Sequence, residues 1–143
     1  MTVIAYRDGV MAADSLAQDG VLKVSGLQKV IRGDDGSLYG MAGAAGMCCE
    51  IRRWIEGGLK GDRPPLRDGE HTADVLAVSP EGAVSVWTVY GTEDYPGAAY
   101  MAIGSGSAVA MGALFMGASA DRAVEAAIEH GLGCGGQVMA VRR

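Results

Sequence analysis

Residues 2–15 carry the clearest local signal in this chain, and they read Thr2-Val3-Ile4-Ala5-Tyr6-Arg7-Asp8-Gly9-Val10-Met11-Ala12-Ala13-Asp14-Ser15. Two apolar runs, residues 3–6 and 10–13, are joined by Arg7, Asp8 and Gly9. An Asp-Gly pair between such runs predicts a β-hairpin. A two-residue turn at Asp8 and Gly9 would place Ser15 opposite Thr2, whereas a three-residue loop would place Asp14 there. The sequence leaves both registers open.

The rest of the chain predicts strands and helices in the order strands, helix, strands, helices, strand. Apolar patterns indicate further strands at residues 29–32, 38–42, 73–79, 83–89, 100–103 and 137–141. Helices are predicted at residues 44–55, 107–116 and 120–130, and a loop at 61–72. Ser119 should cap the last helix, and Gly131 is placed as its C′ residue. Most strands are joined as hairpins, so residues 1–143 are expected to form one α+β domain of antiparallel sheets covered by helices.

Composition narrows the function classes. The chain has 143 residues, enough for one domain with a substantial core, and its net charge of −5 disfavours nucleic-acid binding. The three cysteines (Cys48, Cys49 and Cys134) have no metal-like or disulfide-like spacing, which favours a reducing, cytoplasmic compartment. No signal peptide is evident, and the apolar segments are too short to span a bilayer. We therefore expect no membrane partner, no metal and no cofactor.

Thr2 is the residue with the greatest chemical potential. If Met1 is removed, Thr2 carries a hydroxyl and a free α-amine on one residue. An α-amine has a reference pKa of roughly 7.7–8.0 and can therefore accept a proton near neutral pH. An N-terminal amine is also a recognised base for activating a threonine hydroxyl. Thr2 alone can thus supply both nucleophile and base.

Other familiar chemistries are not supported. Residues 131–136 match G-x-G-x-x-G, but they lie too near the C-terminus to open a βαβ unit. No Walker lysine motif and no G-x-S-x-G elbow occurs. His71 lies in a polar segment and His130 ends a predicted helix, and neither has a second metal ligand at suitable spacing.

Four further motifs follow in order after Thr2: Asp14 in the first stretch, Gln28-Lys29-Val30, Met41-Ala42-Gly43-Ala44-Ala45, and Ile103-Gly104-Ser105-Gly106-Ser107. Together, the five motifs resemble the proteasome β-subunit family. The similarity is greatest to the bacterial HslV-type peptidase and to short stand-alone subunits of bacterial or phage type. It runs from Thr2 to Val141. The resemblance implies a four-layer αββα sandwich of the N-terminal-nucleophile (Ntn) hydrolase class and threonine-type peptide hydrolysis.

The resemblance also implies a role for each motif residue. Thr2 matches the nucleophile, with its own α-amine as the general base. Lys29 matches the lysine under the nucleophile, whose positive charge disfavours protonation of the neighbouring amine. Asp14 matches the carboxylate that pairs with this lysine. The Gly43 N–H matches the oxyanion donor, and Ser105 matches the serine that hydrogen-bonds the amine.

Three departures from the family pattern affect these expectations. The family often has Asp-x-x-Ser-Gly-Gly before its last strand, where this chain has Gly131 and Cys134 in place of the aspartate and serine. The segment between Gly43 and Ala73 predicts one helix where the family usually has two. Met1 directly precedes Thr2, so we expect activation to require only removal of the methionine.

Three functional hypotheses remain open from the sequence. The first is a proteasome-like endopeptidase whose identical subunits form a ring around a chamber. It would act on peptides or unfolded proteins, and an AAA+ ATPase is a possible partner. The second is an Ntn-type amidase or peptidase that works without an unfoldase. The third is an inactive assembly or interaction subunit that keeps the sandwich but not the chemistry.

Overall fold

The computed structural model describes all residues from 1 to 143 and contains twelve strands and three helices. The helices are α1 (Ala45–Glu56), α2 (Ser107–Phe115) and α3 (Ala120–His130). The strands are β1 (Ile4–Arg7), β2 (Val10–Ala13), β3 (Ala17–Asp19), β4 (Leu22–Val24), β5 (Val30–Arg32), β6 (Leu38–Gly43), β7 (Arg67–Asp68), β8 (His71–Val78), β9 (Val84–Thr88), β10 (Gly91–Tyr95), β11 (Tyr100–Ile103) and β12 (Met139–Arg142).

Two antiparallel sheets lie face to face with helices on their outer sides. The first sheet has the order β11-β1-β2-β12, and the second has the order β10-β9-β8-β6-β5, with β7 added beside β8. Helix α1 packs on the outer face of the second sheet, and α2 and α3 pack on the outer face of the first. This arrangement confirms the predicted αββα sandwich.

Strand alternation explains how one sheet can have two apolar faces. In β1, Ile4 and Tyr6 point between the two sheets, whereas Ala5, like Val3 just before the strand, points toward α2 and α3. Successive side chains of a strand face opposite sides, so a strand apolar at every position is covered on both. The core thus occupies three layers: one between the sheets and one beneath each helical layer.

The first hairpin decides between the two registers left open by the sequence. Asp8 and Gly9 have φ angles of 51° and 77°, as a two-residue type I′ turn requires. Ile4 pairs with Ala13 and Arg7 with Val10. Continuing this register places Ser15, and not Asp14, opposite Thr2.

The helices match their predicted positions to within one residue, but one capping assignment was wrong. The Ser119 hydroxyl accepts a hydrogen bond from the Arg122 N–H at 3.3 Å, which confirms the predicted N-cap. Gly131 is not a left-handed C′ residue, because it is the C-cap itself with φ −84°. A Cβ at this position would overlap the Ala127 carbonyl oxygen. Close packing, and not a positive φ, therefore favours glycine there.

Four strand regions differ from the sequence predictions. The hairpin of β3 and β4 and the strand β10 were not predicted, because their residues are mostly polar or exposed and show no core-facing alternation. The predicted loop at 61–72 contains β7 and the start of β8, so His71 lies in a strand. The final strand begins at Met139 instead of residue 137. None of the three helices combines the length and apolarity needed to cross a bilayer.

Candidate active site

Thr2 lies just before β1, at the end of the sandwich where the two sheets meet, and it is only 4% exposed. The Thr2 Oγ1 accepts a hydrogen bond from Lys29 Nζ at 3.1 Å. The Thr2 backbone N–H donates to Ser105 Oγ at 3.0 Å. Thr2 is therefore held between a cation on its hydroxyl side and a hydroxyl group on its backbone nitrogen side.

Lys29 and Asp14 form a buried ion pair with an N–O distance of 2.9 Å and side-chain exposures of 2% and 0%. The Lys29 ammonium also approaches the Met1 carbonyl oxygen at 3.4 Å, so each of its three protons has an acceptor. Asp14 Oδ1 accepts the Val3 N–H at 3.1 Å, and Oδ2 accepts the Gly135 N–H at 3.0 Å. A buried pair is tolerated when its remaining donors and acceptors are satisfied in this way.

Backbone pairing brings these two charges together. Asp14 follows β2, and its N–H donates to the Val3 carbonyl at 3.3 Å, which extends the first hairpin past its last ladder pair. Lys29 precedes β5, and its carbonyl accepts the Met41 N–H at 2.8 Å, which ties it to β6 of the other sheet. One sheet thus supplies the carboxylate and the other supplies the ammonium.

Ser105 lies in the loop between β11 and α2 and has several alternative partners. Its Oγ is 3.3 Å from the Thr2 carbonyl oxygen, 3.2 Å from the Leu132 carbonyl oxygen and 4.0 Å from Cys134 Sγ. A hydroxyl has only one proton, so it donates to one of these groups at a time. Burial, followed by the charge of Asp14, raises the pKa of the Cys134 thiol. This neighbour of Ser105 therefore stays protonated at neutral pH.

Gly43 ends β6 and adjoins Thr2, although no hydrogen bond joins the two residues. Its φ of 132° is strained for any residue with a side chain. A Cβ at Gly43 would overlap the Thr72 carbonyl oxygen and lie 2.7 Å from Ala73 Cα. The structure thus brings together all five predicted site residues, four through hydrogen bonds and Gly43 through a shared cavity lining.

Two open cavities flank Thr2, and both reach Gly43 and Thr72. The cavity on the hydroxyl side has about 310 Å³ and includes Leu27, Lys29 and His71 in its lining. The cavity on the nitrogen side has about 530 Å³ and includes Asp74, Glu93 and Ser105. Each space can accommodate a side chain of a peptide that crosses Thr2.

Two contributors to this region were missed in the sequence, the backbone of Gly135 and the side chain of Asp74. The backbone N–H of Ser15 donates to the Gly135 carbonyl at 3.1 Å, and this contact, together with the Gly135 bond to Asp14, holds the glycine-rich segment against the site. Asp74 lies in β8, where the four residues that follow it are all apolar. Its position, two before Leu76 and four before Val78, was the available signal that it faces the same side as these core residues.

The residue that precedes Thr2 controls its chemistry. The Thr2 nitrogen belongs to the Met1–Thr2 peptide bond in this structure, and an amide nitrogen does not accept a proton. The Met1 side chain lies against Gly133, where a Cβ would overlap it. Removing Met1 would leave a free amine at the same place, beside Ser105. No group of three or more His, Cys, Asp or Glu side chains is arranged to hold a metal ion.

Comparison with solved structures identifies the fold. Comparisons with protein-family models and with curated proteins give no match. BPH from Thiobacillus denitrificans superposes with a TM-score of 0.72 at 23% sequence identity, covering 98% of this chain and 95% of that one. Its complex with epoxomicin gives a TM-score of 0.71 at 23% identity, covering 98% and 96% of the two chains. Eukaryotic HslV from Trypanosoma brucei gives 0.66 at 16% identity, covering 99% of each chain.

The chain has the HslV fold. The resemblance inferred from five short motifs is therefore confirmed at the level of the whole fold, from one end of the chain to the other. In this HslV-type sandwich, Thr2 lies just before β1, and the one helix predicted between Gly43 and Ala73 is α1.

Proposed function

We propose that this chain is a threonine-type endopeptidase of a proteasome-like, self-compartmentalising complex. Thr2, exposed by removal of Met1, is the nucleophile, and its α-amine is the general base. One observation carries the proposal: Thr2 Oγ1 lies 3.1 Å from Lys29 Nζ while the Thr2 nitrogen lies 3.0 Å from Ser105 Oγ. Hydroxyl and nitrogen thus each have a partner suited to these roles.

The proposed reaction begins when the α-amine takes the proton of Thr2 Oγ1, directly or through a water, and Oγ1 attacks the peptide carbonyl. The Gly43 N–H stabilises the oxyanion, a role in which one preorganised donor contributes about 2.7–4 kcal/mol. The protonated amine then passes its proton to the leaving amine as the C–N bond breaks. Water finally hydrolyses the acyl ester on Thr2 and regenerates both groups.

Lys29 and Asp14 have electrostatic roles in this proposal. The Lys29 ammonium lies against Oγ1, so it favours the negative charge that develops on this oxygen during attack. Asp14 fixes the ammonium through the buried ion pair, and the two backbone N–H groups on its carboxylate hold Asp14 in turn. Both act without gaining or losing a proton.

Assembly into a ring of identical subunits is part of the proposal. Residues 95–120 contain no charged side chain, and Phe115 and Met116 at the end of α2 are 74% and 81% exposed. An uncharged segment with exposed large apolar side chains is typical of a surface covered by another subunit. The ring would enclose a chamber, and an AAA+ ATPase would deliver unfolded protein to it. Light scattering after size exclusion should give a closed oligomer, and a clean monomer at micromolar concentration would contradict ring formation.

The decisive experiment measures the intact mass of untagged protein before and after incubation with epoxomicin. A peptide epoxyketone reacts with both the hydroxyl and the amine of an N-terminal threonine. We expect loss of the methionine mass and the gain of one inhibitor adduct. A Thr2→Ala variant should lose the methionine and gain no adduct. Retention of Met1 together with no adduct would overturn the proposal.

An inactive assembly subunit is the second candidate. The groups that surround the Ser105 hydroxyl favour it. Gly131 offers no carboxylate, and Ser105 Oγ is near two carbonyl oxygens and a thiol instead. This candidate predicts that native protein keeps Met1, so the same mass measurement separates it from the peptidase.

An Ntn-type amidase or peptidase that needs no unfoldase is the third candidate. The single helix α1 between Gly43 and Ala73 favours it, since the family usually has two helices in this segment and the loss of one could alter docking of an ATPase. Hydrolysis of folded, tagged proteins only when an AAA+ ATPase is added would exclude this candidate.

A further inference from the structure

Two carboxylates face the space between the sheets close to Thr2. Asp74 of β8 pairs with Ala42 of β6, and Glu93 of β10 pairs with Val86 of β9. Ala42 and Val86 belong to the core between the sheets, and paired residues of an antiparallel ladder point to the same face. Asp74 and Glu93 therefore point into the edge of an otherwise apolar layer, where the cavity opens.

Neither carboxylate has a cationic partner. Asp74 accepts no hydrogen bond and forms no ion pair, and Glu93 accepts only the hydroxyl of Tyr95 at 2.9 Å. Burial, and then the charge of Glu93, raises the pKa of Asp74, because its ionised form is poorly solvated there. A positive group entering the cavity would stabilise the ionised carboxylates and so offset both effects.

The cavity suits a long cationic side chain. Its volume of about 530 Å³ extends from the two carboxylates to Thr2 and Gly43. Val86 and Ile103 contribute apolar wall on the way. Lys and Arg place their aliphatic stems along such walls while the charged head reaches a polar end. A residue bound at Thr2 could thus extend its side chain to Asp74 and Glu93.

The position of the cavity indicates which side of the substrate it receives. In the proposed reaction the leaving amine takes its proton from the Thr2 amine, so the leaving segment lies on the nitrogen side of Thr2. Ser105, the partner of this nitrogen, lines the cavity that contains Asp74, whereas Lys29 lines the other one. The acidic cavity therefore faces the segment C-terminal to the scissile bond.

We propose that Asp74 and Glu93 select peptide substrates with Lys or Arg immediately C-terminal to the cleaved bond. This inference rests on the proposed peptidase function and adds a substrate class to it. The two residues bind substrate and take no part in the bond-breaking step.

The test uses internally quenched peptides that differ only in the residue after the cleaved bond, which is Lys, Gln or Glu, with the cleavage site verified by mass spectrometry. Wild-type protein should show a kcat/KM about fivefold higher for Lys than for Glu, as expected for partly solvated ion pairs. Asp74→Asn should reduce this ratio, and Asp74→Lys should invert it. If the Asp74 variants fold poorly, Glu93→Gln provides a second test at an exposed position, and it should also reduce the Lys-to-Glu ratio.

Asp94→Asn is the matched control, because it removes one charge from β10 at the neighbouring residue. Asp94 lines a groove on the opposite face of the sheet together with Tyr39 and Trp87. This variant should keep the wild-type Lys-to-Glu ratio. The inference is overturned by a wild-type ratio near one, by a ratio that the Asp74 and Glu93 variants do not change, or by a preference for Lys before the bond.

Epoxomicin labelling separates failure of this inference from failure of the proposed function. Wild-type protein that gains the adduct on Thr2 but shows no Lys preference disproves only the acidic subsite. Protein that gains no adduct and cleaves no peptide disproves the peptidase and, with it, the subsite.

Discussion

The two sides of Thr2 are supported in different ways. On the hydroxyl side, Asp14 and Lys29 are buried, and every polar atom of the pair has a hydrogen-bond partner. On the nitrogen side, Ser105 is an exposed loop residue whose single proton is shared among two carbonyls and a distant thiol. The hydroxyl side is part of the core, whereas the nitrogen side depends on the contact between two loops.

This difference separates stability from activity. A change on the hydroxyl side should damage both folding and catalysis, because the same groups carry out both tasks. A change on the nitrogen side should reduce catalysis with little effect on folding, because little buried structure depends on it.

Lys29→Ala should have the largest effect. It leaves Asp14 as a buried charge without a cation, which typically costs about 3–5 kcal/mol of unfolding free energy. It should also reduce peptide hydrolysis nearly to the level of Thr2→Ala. Urea unfolding and peptide cleavage measure the two effects, and Lys23→Ala on the exposed strand β4 is the control. Normal cleavage by Lys29→Ala would refute the proposed mechanism.

Thr2→Ala should abolish hydrolysis while the protein stays folded. It removes one hydrogen bond to Lys29, which corresponds to about 1 kcal/mol. Thr2→Ser should retain measurable activity, because both hydroxyl and amine remain. Equal activity of the alanine and wild-type proteins would show that the nucleophile lies elsewhere.

Ser105→Ala should slow hydrolysis by about ten- to a hundredfold, since the base loses its positioning partner but keeps its own chemistry. Its unfolding free energy should change by no more than about 1 kcal/mol. Ser85→Ala, in the groove on the opposite face of the second sheet, is a control. A loss of stability as large as that of Lys29→Ala would remove the distinction between the two sides of Thr2.

Alkylation of Cys134 should give the smallest effect. Its raised pKa makes reaction with iodoacetamide slow near neutral pH and faster as the pH rises and the thiolate forms. The added group should lower activity by crowding Ser105. Cys134→Ser should be cleavage-competent and unaffected by the reagent. Rapid alkylation at neutral pH would contradict a protonated, partly buried thiol.

The sequence predicted those parts of the fold that local patterns determine. The first hairpin, the Ser119 cap and the three helices follow from nearby residues, although the length of the hairpin turn was left open. The motif order placed Thr2, Asp14 and Lys29 in one family pattern. Their assembly at the end of the sandwich required the structure, since it depends on the pairing of β1 with β2 and of β5 with β6.

The features that sequence reasoning missed depend on distant parts of the chain. Gly131 is needed because of its contact with Ala127, and β3 and β4 form by pairing with each other in spite of an unpromising pattern. The cavity that joins Asp74 and Glu93 to Thr2 arises only when β8, β10 and β11 are assembled. No local pattern contains this information.

The two-residue turn at Asp8 and Gly9 has a consequence for how related chains should be aligned. The turn sets the number of residues between the threonine at position 2 and the aspartate at position 14. One residue inserted into the turn would shift the pairing register of the following strand by one residue. The aspartate side chain would then point to the opposite face of the sheet. A homologue with a longer turn would need its aspartate displaced along the chain to compensate. Turn length and acid position should therefore co-vary, and a fixed spacing alone is a poor criterion for finding such proteins.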